Sequence, residues 1–286
     1  MRDILVGQRE AFLREGPPTP GQRKRDLSTL KAAVLANRSA IEAAAREDFG
    51  HRSPHDTAIL ELFPIVRSID YQRRRLRKWM KPERRRIPML FQPARAWVSY
   101  QPLGVVGIIS PWNYPVSLAL QPLATAIAAG NRAMIKPSEL VPATSALLAK
   151  IIHEAFPQQQ VAVVTGGVDV AKDFAALPFD HLIFTGSTSV GRAVMKAASE
   201  NLVPVTLELG GKSPAIVDRG HSLREAATGI AWGKLVNSGQ TCIAADYVMV
   251  HEDSVEAFVE AFDRAVRELY PDGPAAHDYT SIVSEN

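Results

Sequence analysis

His181-Leu182-Ile183-Phe184-Thr185-Gly186-Ser187-Thr188-Ser189-Val190-Gly191 reads as a short apolar strand that turns at Gly186 directly into a helix. Gly186 allows a close turn, and the N–H groups of the helix N-terminus can face a phosphate there. The spacing is not G-x-G-x-x-G, so alone the stretch fits an ordinary strand-to-helix turn as well as a nucleotide site. Its neighbours decide the fold. Residues 104–110, 132–136 and 161–165 are further short apolar strands, and helical stretches start near Val116 and Ala143 between them. Strands alternating with helices imply a mostly parallel sheet covered on both faces, an α/β fold. No internal repeat or low-complexity tract interrupts the series.

Upstream the reading is helical for about the first eighty residues. Thr19-Pro20 opens a helix carrying Leu27, Leu30, Val34 and Leu35 at helical spacing. Ser39-Ala40-Ile41-Glu42 has capping-box spacing, and Gly50 suits the stop that follows. Ser53-Pro54-His55-Asp56 starts a third helix whose apolar stripe includes Ile59, Leu62, Phe63, Val66 and Ile69, with a kink expected at Pro64. The basic run from Arg73 to Arg86 is interleaved with Leu76, Trp79 and Met80, which favours a solvated face over an apolar stripe rather than a nucleic-acid surface. Between Pro82 and Tyr100 the pattern becomes extended, Ala96-Trp97-Val98-Ser99-Tyr100 alternating as a strand does. This stretch reads as an arm.

Length and composition allow one large domain or two moderate ones. A net charge of +3 over 286 residues is too small an excess to argue for nucleic acid. One cysteine excludes an internal disulfide and fits a reducing compartment. No secretory h-region or bilayer-length apolar run is present, so a soluble cytoplasmic protein is expected.

That cysteine, Cys242, closes Asn237-Ser238-Gly239-Gln240-Thr241-Cys242. A lone Cys is most often a small buried hydrophobe. Here small and amide residues flank it where backbone N–H groups must approach a substrate, and Glu208 in Leu207-Glu208-Leu209-Gly210-Gly211-Lys212-Ser213-Pro214 precedes it by a few tens of residues. A thiol nucleophile forming a thioester needs a carboxylate base to activate the water that removes it, which makes the pair candidates for covalent catalysis. In Pro111-Trp112-Asn113-Tyr114-Pro115 the Asn113 amide can donate to an oxyanion, although turn propensity explains Asn and Pro equally well. Lys136-Pro137-Ser138-Glu139 places a cation and a carboxylate where they can hold ribose hydroxyls, against the alternative of a surface ion pair.

The ordered set PWNYP, KPSE, FTGSTSVG, LELGGKSP and GQTC resembles the NAD(P)-dependent aldehyde dehydrogenase superfamily from about Tyr100 onward. The amino-terminal segments Gln8–Phe12, 48–53 and 79–82 look most like its coniferyl aldehyde dehydrogenase branch, related to the class 3 enzymes. The resemblance implies a Rossmann-type parallel sheet plus an α/β catalytic domain, with NAD as cofactor and NADP also possible. It implies Cys242 as nucleophile, Glu208 as general base, and Asn113 with the Cys242 N–H as oxyanion hole. Lys136 and Glu139 would hold the adenosine ribose, Gly186, Ser187 and Gly191 would lie along the pyrophosphate, and Trp112 would lie near the cofactor. No metal is implied.

The expected division is N-terminal helices over 1–81, a bridging arm over 82–100, a dinucleotide-binding domain over 101–206 and the first part of the catalytic domain over 207–286. The family runs on for well over a hundred residues more, so the chain is expected to be truncated after Asn286. The implied partners are a small aldehyde and, for full-length relatives, a second subunit; no nucleic acid or membrane is implied. The alternative is an impaired remnant, or a module that keeps a nucleotide pocket and uses the basic helix or the arm for a partner.

Overall fold

In the computed structural model, which describes residues 1–276 and 278–284, five short strands form one parallel sheet. They are β3 (Val105–Ile109), β4 (Arg132–Lys136), β5 (Val161–Val163), β6 (His181–Gly186) and β7 (Val205–Leu209), in the order β5-β4-β3-β6-β7. Residues Glu285 and Asn286, where the truncation was expected, lie outside the described residues.

Side-chain alternation on these strands feeds two cores. Val106, Ile108, Ala133 and Ile135 join a cluster with α2 (Pro20–Ala36), α5 (Phe63–Trp79), α6 (Ser117–Ala129) and α7 (Pro142–Ala155). Val105, Ile109, Met134, Leu182 and Phe184 face the other way, onto α1 (Arg2–Glu15), α8 (Val168–Ala175) and α9 (Thr188–Ser199). β3 is buried at every residue because it is central and covered on both sides. On that second face a Cβ at Gly107 would come within 2.7 Å of Phe179 and 2.8 Å of Leu182, so glycine sets how closely the strand is covered.

The leading helices follow the expected signals in part. Thr19 caps α2 by accepting the Gln22 N–H, with Pro20 in the first turn. Leu27, Leu30 and Val34 are buried, whereas Leu35 lies half out. The capping-box spacing at Ser39 is not used: α3 (Arg38–Phe49) already starts at Arg38, because a single residue, Asn37, joins it to α2 and turns its amide back onto the Ala33 carbonyl.

Pro54–Asp56 (α4), a π-helical stretch Thr57–Leu62 and α5 run on continuously. The wider π turn rotates the face that follows. Leu62, Ile65, Ile69 and Leu76 are therefore buried, while Ile59 and Phe63 of the expected stripe are about 60% exposed. Pro64, which lacks the N–H an α-turn would use, stands immediately after this irregularity. Within the arm, β1 (Glu83–Arg85) and β2 (Ala96–Val98) pair antiparallel below an exposed tip at Met89–Phe91.

The ladder from β6 to β7 continues to Gly186↔Leu209, so the boundary expected at 206/207 falls inside a strand. Beyond it, β8 (Ser213–Ile216) and β9 (Ala245–Met249) form a separate two-stranded parallel sheet. They are joined through α10 (Leu223–Leu235), and α11 (Val255–Leu269) packs on α10. The small core there is Val217, Ala227 and Phe258.

Candidate active site

The strand order places a reversal between β3 and β6: from β3 the chain adds β4 and β5 on one side, then returns to add β6 and β7 on the other. Loops after β3 and β6 leave the carboxyl edge of the sheet side by side at this reversal, where open α/β sheets bind ligands. Pro111-Trp112-Asn113-Tyr114-Pro115 follows β3 and Ser187 follows β6.

Asn113 is half-buried and spans two loops. Its Nδ2 donates to the Gln240 carbonyl at 2.9 Å, while its Oδ1 accepts the Tyr114 N–H at 3.0 Å. The Tyr114 hydroxyl meets Thr241 Oγ1 at 2.5 Å. Burial pushes the Tyr114 phenol up, with the Thr241 hydrogen bond opposing it, so it stays protonated at neutral pH. Two consecutive residues of one loop thus grip the two residues before Cys242, whose side chain is exposed.

The nucleophile loop is also held from within. Asn237 and Ser238 take left-handed φ values of 52° and 54°, a conformation Asn tolerates and Ser rarely adopts. Asn237 is fully buried, with its Nδ2 donating to the Asn113 carbonyl at 3.2 Å. Gln240 donates through Nε2 to the carbonyls of Asn237 and Ser281 and accepts the Val283 N–H. Ser238 donates to the Thr280 carbonyl, and Thr280 donates to Asp56 at 2.8 Å.

Glu208 stands outside this network. It pairs with Thr185 in the β6–β7 ladder and is exposed on the face of β7 opposite Leu207 and Leu209, which pack on the α9 side. Among the described residues its side chain makes no hydrogen bond or ion pair. The structure therefore joins Asn113 to the Cys242 loop by direct bonds and leaves Glu208 without one.

The positions expected to hold a cofactor fall on the same edge. Lys136, 1% exposed at the end of β4, donates to the Pro137 carbonyl at 2.7 Å and to Glu139 at 3.1 Å, and Glu139 reaches solvent. Ser187 caps α9 by accepting the Val190 N–H. A Cβ at Gly191 would meet Leu209 of β7 at 2.8 Å, so that glycine lets α9 lie close to the sheet, while one at Gly186 would meet the Phe184 ring of its own strand at 2.5 Å. Trp112 is half-buried at the mouth of the β3 loop. A buried donor cation beside an accessible carboxylate suits ribose hydroxyls, and a capped helix start suits a pyrophosphate. The donor set fits a dinucleotide.

Behind the β3 loop lies a pair that sequence reasoning did not single out. Arg52 and Glu61 are both completely buried and meet at 3.2 Å. Glu61 Oε2 accepts the N–H groups of Val116 and Ser117 at 2.7 and 2.9 Å, and Arg52 donates to the Asn113 carbonyl at 3.1 Å. Burial raises the Glu61 pKa against the opposing pull of Arg52 and those two N–H groups. The available signal was a carboxylate inside an apolar helical stripe. Two other clefts, of about 610 and 870 Å3, lie by Glu15 and Arg132 and by Tyr71 and Trp79, away from Cys242. Among the described residues there is no cluster able to hold a metal ion, and no helix is long and apolar enough to cross a membrane.

The sequence matches the aldehyde dehydrogenase family over residues 9–286. The chain belongs to the aldehyde dehydrogenase family. A probable coniferyl aldehyde dehydrogenase of Pseudomonas aeruginosa is 50% identical over 99% of this chain and 59% of its own length. The coniferyl aldehyde dehydrogenase of Pseudomonas sp. strain HR199 is 47% identical over 98% of this chain and 58% of its own. The substrate-bound AldH of Staphylococcus aureus superposes with a TM-score of 0.95 at 37% identity, over 99% of this chain and 62% of that one. A Mycobacterium tuberculosis aldehyde dehydrogenase complexed with NAD+ gives 0.87 at 28%, over 99% and 59%. The chain spans about three-fifths of the length of these aldehyde dehydrogenases.

Proposed function

We propose that this chain supplies the nucleotide-binding sheet and the nucleophile of an enzyme that oxidises an aldehyde to its carboxylic acid with NAD(P)+. The observation that carries the reading is the double grip of Asn113 and Tyr114 on Gln240 and Thr241 immediately before Cys242. The similarity to the two coniferyl aldehyde dehydrogenases supports an aromatic aldehyde as substrate. The NAD+-bound relative supports NAD, and NADP stays compatible with a ribose site where the Lys136 cation stands beside Glu139 and offsets part of its negative charge.

On this reading the Cys242 thiolate adds to the aldehyde carbonyl, forming a C–S bond and a tetrahedral oxyanion. The Asn113 amide and the Cys242 N–H stabilise that oxyanion, which is where preorganised donors contribute most. When bound, the nicotinamide supplies the hydride acceptor that turns the adduct into a thioester. Glu208 takes a proton from the water that cleaves the C–S bond and releases the acid. Lys136 and Glu139 hold the ribose hydroxyls, Gly186, Ser187 and Gly191 line the pyrophosphate, and Trp112 borders the cofactor. On this reading the helices up to residue 81 pack on the cofactor domain, 82–100 form a bridging arm, and the nucleotide sheet, extended to Leu209, leads into the first part of the catalytic domain.

The test is stopped-flow acylation and turnover with an aromatic aldehyde and with 4-nitrophenyl acetate. Cys242→Ala is expected to abolish both reactions, and Glu208→Gln to give a burst without turnover. Full activity in Cys242→Ala would end the reading.

A further inference from the structure

We infer that the buried Arg52–Glu61 pair is a positioning device for the oxyanion-stabilising amide, acting on Asn113 through the backbone of the β3 loop. The inference rests on the proposed roles of Cys242 and Asn113. Its geometry is independent of them. Arg52 lies in the link after α3 and Glu61 in the π-helical stretch, and their polar ends, in direct contact, both reach the backbone of the β3 loop. Glu61 fixes the far end of that loop by accepting the Val116 and Ser117 N–H groups, and Arg52 fixes its centre through the Asn113 carbonyl. The guanidinium also stands 5.6 Å from the Tyr114 ring centroid and 4.4 Å from that of Phe49. The loop held in this way grips the nucleophile loop through Asn113 Nδ2 and the Tyr114 hydroxyl.

Why the pair is ionic bears on its role. An isolated buried ion pair is commonly no more stabilising than apolar residues of similar volume, so fold stability alone does not require charge here. Among the described residues, Arg52 Nε and Nη2 and Glu61 Oε1 have no hydrogen-bond partner, and the hydrogen bonds the pair makes there all go to residues 113, 116 and 117. A planar guanidinium with fixed donor directions and a carboxylate accepting two successive N–H groups specify loop position more tightly than apolar packing does. An oxyanion donor acts only within a narrow distance of the forming charge, so a displaced Asn113 loses rate with little change in the thiol itself.

The two reactions of the single thiol separate these effects. Acylation by 4-nitrophenyl acetate forms the Cys242 C–S bond through a tetrahedral oxyanion, and 4-nitrophenolate leaves with the C–O electron pair. Alkylation by iodoacetamide displaces iodide and builds no oxyanion. In the full chain, Arg52→Met combined with Glu61→Gln leaves an uncharged pair that keeps an acceptor for the two N–H groups. This double variant is expected to lower the acylation rate about tenfold or more while alkylation changes less than about threefold. Asn113→Ala is expected to give the same pattern, and adding it to the double variant to cost no further acylation.

If Asn113→Ala slows acylation and the double variant does not, the positioning role fails and the oxyanion reading stands. If Asn113→Ala leaves acylation unchanged, or if the unaltered chain does not acylate at all, both fail. Equal losses of acylation and alkylation would assign the pair to general folding and overturn the inference. Thermal melting accompanies each variant. Should the double variant not fold, Arg52→Lys, which keeps the charge but not the fork, is expected to fold and to slow acylation selectively; an unaltered acylation rate in that variant would equally overturn it.

Discussion

The five-stranded and the two-stranded sheets are built from similar sequence, short apolar strands joined through helices, yet they bury their residues differently. Every residue of β3 is buried, because helices cover both faces and strands flank both edges. In the smaller sheet Pro214 pairs with Tyr247 and Ile216 with Met249, and all four are exposed on one face, Ile216 at 73%. A strand's apolar content therefore reports what it is suited to bury, while the number of covered faces decides what it does bury. The proposed site is shared between the two regions. Asn113 belongs to the covered one and Cys242 to the other, and the link between them consists of hydrogen bonds rather than a common apolar core.

The largest expected effect separates the two sheets directly. Ile108→Ala removes a fully buried side chain from the larger core and is expected to destabilise by about 2–5 kcal/mol, whereas Ile216→Ala should fall within about 0.5 kcal/mol. Urea unfolding of the two variants checks this. Comparable losses would show that the exposed face is covered in solution and would break the contrast.

Cofactor selection sharpens the comparison at the carboxyl edge of the larger sheet. Glu139 is expected to repel a 2′-phosphate, so Glu139→Gln should improve NADP binding relative to NAD by about tenfold, or about 1.4 kcal/mol. Fluorescence titration with both nucleotides measures the ratio. An unchanged ratio would remove Glu139 from selection.

The smallest effect concerns the helical layer over the larger sheet. Asp70 accepts from Lys31 at 2.7 and 2.9 Å, and that hydrogen bond holds its carboxyl below the usual value against a modest burial effect. A depressed folded-state pKa contributes stability present above the unfolded value, near 3.8, and lost as pH falls through the folded one. Asp70→Asn is thus expected to lower the melting temperature slightly at pH 7 and to make no difference well below pH 3. A difference that grew on acidification would reverse the sign and reject the account. The pair is partly exposed, so the effect stays below about 1 kcal/mol.

Much of this was legible in the chain because the signals were local. Strand-to-helix turns, the Thr19-Pro20 start and the motif order each depend on a few adjacent residues. The stripe through Ile59 and Phe63 was misread because the π-helical stretch from Thr57 to Leu62 shifts the faces within it and after it, and no single residue announces such a stretch. Arg52 and Glu61 were missed because their partners, residues 113, 116 and 117, are more than fifty positions away in sequence.

The sequence by itself determined the α/β alternation, the family and the candidate nucleophile, since period, turn chemistry and residue type are properties of short stretches. Only the tertiary structure decided which apolar faces are covered, that β7 runs through the expected domain boundary, and that Asn113 and Tyr114 reach the residues before Cys242. Those outcomes depend on long-range closure of the chain, and hydrogen-bond partners separated by 127 residues are specified by the packing of whole elements rather than by the residues beside them.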